Sequence, residues 1–326
     1  MAELREELIT IIGGSGFLGS HIVRALAKRD CRIRVAVRRP DLAGHLCPLG
    51  MIGQIMPVQA NVRYPASLDA ACSGACAVIN LVGILAPSRR QSFEAIHVDG
   101  AKAVAEAARK AGAETLIHVS AIGAENESPS LYGRSKARGE KEIRRIFPEA
   151  TILRPSIVFG PEDSFFNRLA AIARLSPVLP LINGGNTRLQ PVFVGDVAKA
   201  ITVIIDGDKH FGATYELGGP EILSFREVMA FILKAVERKR FLLPVPRSIV
   251  KAQAAILQML PNPPLTLDQL RMLERDNVVG EQAKAEGRIL AAFGIKPRGI
   301  EAIVPEYLTR FRRTGQFKSR RDRLKP

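Results

Sequence analysis

Residues 11–23 read IIGGSGFLGSHIV, and this stretch decides the fold class. The apolar residues before Gly13 are typical of a buried strand, and the residues after Gly16 have the apolar spacing of a helix. We expect Gly13 to permit a tight turn, Gly16 to let the backbone approach a bound anion, and Gly19 to let helix and strand pack closely. The N–H groups and dipole at the start of such a helix favour phosphate, so the pattern predicts a phosphate cradle rather than a bare turn. The residues predicted to form it are Gly13, Ser15, Gly16, Phe17, Leu18 and Gly19.

The chain up to residue 160 alternates strand-like and helix-like segments, which predicts an α/β fold with a doubly wound parallel Rossmann sheet. The predicted strands are 7–13, 33–38, 52–61, 75–83, 114–121 and 150–160. Helices are predicted at 17–30, 92–112 and 132–147, and Gly112 is a typical signal for the end of a helix.

Proline and glycine become frequent after residue 160, which indicates a smaller, α-rich second region. We predict a nucleotide-binding Rossmann domain over 1–207, with 161–187 contributing to the second lobe. A smaller lobe for a substrate or partner follows at 208–312, and a basic, flexible tail at 313–326.

Composition restricts the class of protein. No apolar run reaches the ~18–20 residues of a membrane span. The opening residues MAELREE lack the apolar core of a signal or transit peptide, so we expect a bacterial cytoplasmic chain. The four cysteines lie at 31, 47, 72 and 76 without metal-ligand spacing or a histidine cluster, so we expect reduced thiols and no metal.

The net charge is +15, and residues 310–326 alone carry eight Lys or Arg against one Asp. Such a tail suits an anionic membrane surface or an acidic protein, or it is simply solvated. The chain has no Trp and four Tyr, so it offers no stacking platform and we expect no nucleic-acid partner. The apolar helix predicted at 249–260 suits either docking beside a membrane or packing in the second lobe.

Two arginines follow the second predicted strand. An NAD-preferring Rossmann domain places a carboxylate here, about 20 residues past the glycines, on the ribose 2′-hydroxyl. Arg38 and Arg39 occupy this place, and paired guanidinium groups suit a 2′-phosphate. The sequence therefore favours NADP(H), while Asp41 leaves NAD(H) as the less favoured alternative.

Tyr132 and Lys136 are four residues apart and share one face of a predicted helix. In a hydride-transfer site a tyrosine hydroxyl exchanges a proton with the substrate oxygen, and a nearby ammonium lowers the tyrosine pKa toward neutral. Ser120, at the end of the fifth predicted strand, would hydrogen-bond the same oxygen. Ser120, Tyr132 and Lys136 are the predicted catalytic residues.

With these motifs in register, the chain resembles the extended and atypical short-chain dehydrogenase/reductase superfamily. The matching strings are GGSGFLG at 13–19, NLVG at 80–83, LRPSIVFGP at 153–161 and QPVFVGDVA at 190–198. The resemblance implies further cofactor contacts at Asn61, Val62, Leu81, Val82, Gly83, Tyr132, Lys136, Pro155, Ile157 and Val158. Two departures stand out: Asn61 replaces an aspartate at the adenine, and His97 replaces an asparagine that serves in proton relay.

Longer strings, including LCPLGMIGQIMPVQANVR at 46–63 and FPEATILRPSIVFGPEDSFFNRL at 147–169, resemble a narrower family. This is the nucleotide-binding accessory subunit of respiratory complex I, the alpha-subcomplex subunit nine family, with its alphaproteobacterial relatives. The resemblance implies tightly held NADP(H), complex I subunits as partners, and a peripheral place on the cytoplasmic face of the inner membrane.

Three functions stay open at this point. The first is an accessory or assembly protein of complex I whose nucleotide is structural or sensing. The second is an NADP(H)-dependent oxidoreductase or epimerase that acts on a small carbonyl, sterol or isoprenoid-like substrate. The third is a regulator that recruits partners as NADP(H) changes.

Overall fold

The computed structural model describes residues 7–88, 91–207, 212–257, 266–313 and 315. Over these residues the chain forms two compact units. The first unit comprises Met1–Pro155, Val194–Leu217 and Val279–Lys296. The second comprises Ser156–Phe193, Gly218–Val278 and Pro297–Pro326.

A seven-stranded parallel sheet is the framework of the first unit, which confirms the predicted doubly wound α/β fold. Across the sheet the strand order is β11-β6-β5-β4-β1-β2-β3, with strands numbered along the whole chain. Sheets of this type bind ligands beyond the carboxyl ends of the strands where the order reverses, here between β1 and β4. The strands are β1 (Leu8–Ile12), β2 (Arg32–Val37), β3 (Ile55–Gln59), β4 (Ala77–Asn80), β5 (Thr115–Val119), β6 (Thr151–Pro155) and β11 (Thr214–Leu217).

Helices flank this sheet because its central strands, β1, β4 and β5, are buried on both faces. Helix α1 contacts α6, while α2, α3 and α4 pack side by side. Thr10 of β1 is fully buried, and its hydroxyl donates a hydrogen bond to the Ala71 carbonyl of α2 at 3.0 Å. The helices are α1 (Phe17–Leu26), α2 (Pro65–Cys72), α3 (Asp99–Lys110), α4 (Leu131–Ile146), α6 (Val194–Asp206) and α10 (Glu281–Ala285).

The end of α3 confirms the glycine signal read from the sequence. Gly112 has a φ of +71°, a left-handed conformation that glycine adopts without a Cβ penalty. The N–H groups of Gly112 and Ala113 donate to the carbonyls of Arg109 and Ala108, so the last turn of the helix is satisfied.

The second unit combines short strand pairs with helices around its own apolar core, which includes Phe159, Phe166, Leu179 and Val228. Strands β7 and β10 pair in parallel, β8 and β13 in parallel, and β9 and β12 antiparallel. The strands are β7 (Val158–Phe159), β8 (Val178–Ile182), β9 (Arg188–Leu189), β10 (Val192–Phe193), β12 (Leu223–Ser224) and β13 (Phe241–Val245). The helices are α5 (Phe165–Leu175), α7 (Phe225–Ala235), α8 (Arg247–Leu257), α9 (Leu267–Met272) and α11 (Ile300–Leu308).

The strand predicted at 150–160 is two strands that belong to different units. The chain leaves the large sheet after Pro155, and the Ser156 hydroxyl and the Ile157 N–H then donate to Asn277 Oδ1 at 2.6 and 3.1 Å. An apolar run cannot reveal this break, because the bonding partner lies more than a hundred residues further along the chain.

The structural division also differs from the predicted domains. The prediction assigned all of 208–312 to the smaller lobe, whereas Thr214–Leu217 pairs with β6 as the edge strand of the large sheet. Residues 279–296 likewise belong to the first unit. Of the apolar helix predicted at 249–260, residues 258–260 lie outside the described residues, as does most of the predicted tail.

Within the described residues, no helix has the length and apolar character needed to cross a bilayer. Cys31, Cys47, Cys72 and Cys76 are free thiols. Burial raises the pKa of the Cys72 thiol to about 11, so it stays protonated near neutral pH.

Candidate functional site

The glycine turn between β1 and α1 has the geometry of a phosphate cradle. Gly13 has a φ of +83°, and a Cβ there would lie 3.1 Å from Val82 Cγ2. A Cβ on Gly19 would lie 2.5 Å from the carbonyl oxygen of Gly14, so only glycine lets the helix start this close to the turn. Gly16 is exposed at the N-cap of α1, where the first N–H groups of a helix have no intrahelical acceptor.

A cleft of about 290 Å³ opens beside this turn, entirely within the first unit. Ile84, Arg63 and Gln91 also line it and were not predicted. Arg63 lies two residues beyond the predicted Asn61, so its basic side chain was a usable signal, whereas Gln91 belongs to no motif. The predicted residues that line the cleft are Gly13, Ser15, Gly16, Arg38, Asn61, Val62, Leu81, Val82 and Gly83.

The two arginines after β2 have different surroundings. Both are exposed, but Arg38 lines the cleft and donates to Gln91 Oε1 at 3.1 Å. The Arg39 guanidinium instead forms a two-pronged ion pair with Asp41, with N···O distances of 3.0 and 2.7 Å. This contact raises the pKa of Arg39 and lowers that of Asp41. Arg38 is therefore the arginine available to a group in the cleft.

Asn61 lines the cleft and lies in a backbone turn that side-chain hydrogen bonds stabilise. Its side-chain oxygen accepts from the Arg63 N–H at 3.2 Å, and its backbone N–H donates to the Ser67 hydroxyl at 3.0 Å. An aspartate could accept the same bond from Arg63, so the departure from the superfamily pattern preserves the turn and removes a negative charge.

Strand β5 and helix α4 bring Lys136 to the end of the sheet. The buried Lys136 ammonium donates to the Val119 carbonyl at 3.2 Å, one residue before Ser120. A Cβ on Gly83 would lie 3.2 Å from Lys136 Nζ, so glycine leaves room for the ammonium beside the cleft wall. Burial lowers the pKa of Lys136 to about 8, although Glu140 opposes this shift.

Tyr132 differs from the sequence expectation. The pKa of its hydroxyl was expected to fall toward neutral, whereas burial raises it to about 12. The ring lies edge-on to Phe93 and His97, with centroids 6.1 and 5.4 Å away. Removal of the hydroxyl from water is the cause of this shift, and spacing along the helix could not reveal it.

Two buried polar atoms near Lys136 have no hydrogen-bond partner within the described part of the chain: Ser120 Oγ and His118 Nε2. His118 Nδ1 lies 3.2 Å from the Asn80 side-chain nitrogen, which is a donor, so the ring proton is on Nε2. Unsatisfied buried groups are rare and mark places that a ligand or water completes. Together with the glycine turn and the cleft, they fit a dinucleotide whose phosphates lie at α1.

The remaining predicted residues lie outside the cleft lining. Phe17 and Leu18 are half-buried in the first turn of α1. Pro155 is the last residue of β6. Ile157 and Val158 belong to the second unit, where Val158 pairs with Val192.

The sheet order, the glycine turn and the cleft define a dinucleotide-binding protein of the doubly wound α/β class. A family model described as the NAD dependent epimerase/dehydratase family matches residues 9–218. The chain belongs to this family, which confirms the resemblance to extended short-chain dehydrogenases.

Relatives and solved structures agree with this membership. The Arabidopsis thaliana protein named NADH dehydrogenase [ubiquinone] 1 alpha subcomplex subunit 9, mitochondrial, is 34% identical over 318 residues, covering 94% of this chain and 78% of its own. A Caulobacter vibrioides protein named ceramide reductase is 36% identical over 201 residues, or 62% of each chain. The Escherichia coli quinone oxidoreductase structure with NADPH has a TM-score of 0.72 at 20% identity, covering 92% of this chain and 99% of its own.

Proposed function

We propose that this protein is an NADP(H)-binding accessory or assembly subunit of respiratory complex I, in which the nucleotide is structural or sensing. The observation that carries the proposal is the 34% identity to the Arabidopsis subunit over 94% of this chain. A match of this extent includes both units, so it concerns more than the nucleotide-binding fold that many unrelated enzymes share.

The state of the predicted catalytic pair supports a bound rather than a reacting nucleotide. A tyrosine whose pKa is raised to about 12 is a weak proton donor near neutral pH, and the ideal catalytic pKa lies near the working pH. Lys136 also donates to a backbone carbonyl. Arg38 on the cleft and the neutral Asn61 favour the 2′-phosphate of NADP(H) over NAD(H).

Affinity purification of the tagged chain from solubilised membranes at low ionic strength tests this proposal. Complex I subunits should co-purify, and the chain should carry NADP(H) that survives gel filtration. Recovery of the folded chain without any complex I subunit would contradict the assignment. Parallel purifications with NADP⁺, NADPH or no nucleotide separate a structural nucleotide from a sensing one, because only sensing changes the yield of partner.

Turnover of NADPH against a carbonyl substrate is the second candidate function. The specific observation in its favour is the unpartnered, buried Ser120 hydroxyl, together with the identity to the ceramide reductase. Tyr132→Phe should then lower the rate of NADPH oxidation by about 10²–10⁴-fold, and Arg39→Ala serves as the matched control. If no carbonyl in a panel of long-chain ketones and quinones oxidises NADPH, this candidate fails.

We also propose peripheral attachment to the cytoplasmic face of a bacterial inner membrane, which an exposed apolar surface on the second unit supports. The stretches PVLPLI at 177–182 and FLLPVP at 241–246 contain no charged residue, although their strands β8 and β13 are partly exposed. Phe241 and Leu243 are 78% and 54% exposed. Arg240 lies at the same end as Phe241 and donates to the Ala173 carbonyl at 2.8 Å. An exposed apolar face with a cation beside it suits the surface of an anionic bilayer.

A further inference from the structure

Hydrogen bonds through His97 join the wall of the cleft to the helix that carries Tyr132 and Lys136. The Ile84 N–H donates to His97 Nε2 at 3.0 Å, and Ile84 lines the cleft. On the other side of the ring, Nδ1 lies 2.8 Å from the Ser135 hydroxyl. That hydroxyl donates to the Tyr132 carbonyl, also at 2.8 Å. One side chain therefore connects the loop after β4 with the first turns of α4.

The direction of every proton in this chain of bonds is determined. His97 Nε2 accepts from Ile84, so it carries no proton. Burial, helped by the nearby Lys136 ammonium, lowers the pKa of His97 to about 3, so the ring is neutral. Its single proton is on Nδ1, which therefore donates a hydrogen bond to the Ser135 hydroxyl. The Ser135 hydroxyl in turn donates a hydrogen bond to the Tyr132 carbonyl. The sequence marked His97 only as a substitute for an asparagine.

The imidazole ring of His97 is closely packed. His97 is 1% exposed and stacks on Phe93, with ring centroids 5.4 Å apart. It lies in Glu94–Val98, a wide π-helical turn of a kind that often occurs at functional sites. A Cβ on Gly139 would lie 2.0 Å from the His97 carbonyl oxygen, so α4 approaches this turn as closely as a backbone can.

We propose that His97 is a positioning residue. Its hydrogen bond holds the Gly83–Ile84 wall in the position in which a bound dinucleotide contacts both the cleft and Lys136. The inference rests on the proposed nucleotide binding and adds the residue that sets the affinity of the Lys136 end of the cleft. The opposite end, with Arg38 and Asn61, does not depend on His97.

Three variants distinguish the contributions of the two hydrogen bonds that the His97 ring makes. His97→Gln places an oxygen near the position of Nε2 and keeps an acceptor for Ile84. His97→Asn places its polar atoms near Nδ1 and loses that acceptor, and His97→Phe loses both bonds while keeping the stacking. We expect NADPH to bind about tenfold more weakly to His97→Asn and His97→Phe and within about threefold of wild type to His97→Gln.

Titration calorimetry with NADPH and with adenosine 2′,5′-bisphosphate provides the test. The bisphosphate occupies only the Arg38 end, so its affinity should be the same in all four proteins. An equal loss for both ligands would show a general structural defect and overturn the inference, as would wild-type NADPH affinity in His97→Phe. The ¹⁵N shifts of His97 in the wild-type protein should show the Nδ1–H tautomer, and an Nε2–H tautomer would also overturn it. A wild-type chain that binds no NADPH contradicts the proposed function instead, and the ¹⁵N shifts still decide the bonds of His97.

Discussion

The cleft of the first unit and the β8–β13 strand pair of the second unit differ in the kinds of side chain that they bury and expose. The first unit buries Asn80, His97 and Lys136 beside its cleft, whereas the second exposes Phe241 and Leu243 on a strand pair. Burying polar groups costs free energy unless each is hydrogen-bonded, so such a cluster persists where its geometry is used. Exposing apolar strands to water also costs free energy, and contact with another apolar surface removes that cost. The comparison supports the proposed ligand site in the first unit and the proposed attachment through the second.

The largest expected effect tests the close packing of the first unit. Gly139→Ala places a Cβ 2.0 Å from the His97 carbonyl oxygen, a backbone atom that cannot move aside cheaply. We expect the free energy of unfolding in urea to fall by more than about 3 kcal/mol. Gly44→Ala is the control, because a Cβ there meets no atom within 4 Å. Equal unfolding midpoints for the two variants would contradict the packing described for α4.

The burial of Lys136 predicts a particular dependence of stability on pH. Its pKa is about 8 in the folded chain and above 10 when unfolded, so between these values the unfolded chain binds more protons and stability rises with pH. By pH 10.5 the free energy of unfolding should have risen by about 3 kcal/mol, and this rise should be absent in Lys136→Met. Raised pKa values of Tyr132 and Cys72 give the opposite slope in both proteins and cancel in the difference. A difference in unfolding free energy that stays flat from pH 7.5 to 10.5 would show that the ammonium is solvated.

Arg38 and Arg39 provide a matched pair for cofactor preference. Arg38→Ala should weaken NADPH binding by about thirtyfold and leave NADH binding nearly unchanged, because a charge-assisted bond to the 2′-phosphate is lost. Arg39→Ala should change the ratio by less than about threefold, since its guanidinium is paired with Asp41. Both affinities can be measured by nucleotide fluorescence. Equal effects of the two variants would assign the preference to overall charge instead.

The smallest expected effect concerns the second unit. Phe241→Asp should reduce binding to vesicles that contain phosphatidylglycerol by about tenfold, because it removes apolar area and adds a repelled charge. Ile52→Asp, at a fully exposed position of the first unit, is the control and should bind like wild type. Sedimentation with vesicles measures both, and circular dichroism checks that they fold. If Phe241→Asp bound vesicles as well as wild type, the proposed membrane attachment through the β8–β13 surface would be wrong.

Local signals made the first unit predictable from its sequence. Gly13, Gly19 and Gly112 lie where short-range geometry requires glycine, and the strands β1 to β6 lie in mostly apolar segments. The rest depends on distant partners. Neither the pairing of Thr214–Leu217 with β6 nor the break of the predicted strand after Pro155 leaves a local pattern.

The candidate site follows the same rule. The cradle and Arg38 come from motifs of fixed spacing, and both line the cleft. The pKa of Tyr132 and the bonds of His97 depend on burial and on residues that three segments bring together. The spacing of residues along one helix predicts neither the pKa of Tyr132 nor the hydrogen bonds of His97.

The path of the chain has a consequence for how the protein is made. The chain passes between the units five times, after residues 155, 193, 217, 278 and 296. The ribosome therefore releases six of the seven strands of the large sheet before β11, the edge strand, exists. Until then β6 is an exposed edge, and newly made chains depend on β11, a later segment of the first unit, emerging in time to protect that edge from pairing with another chain.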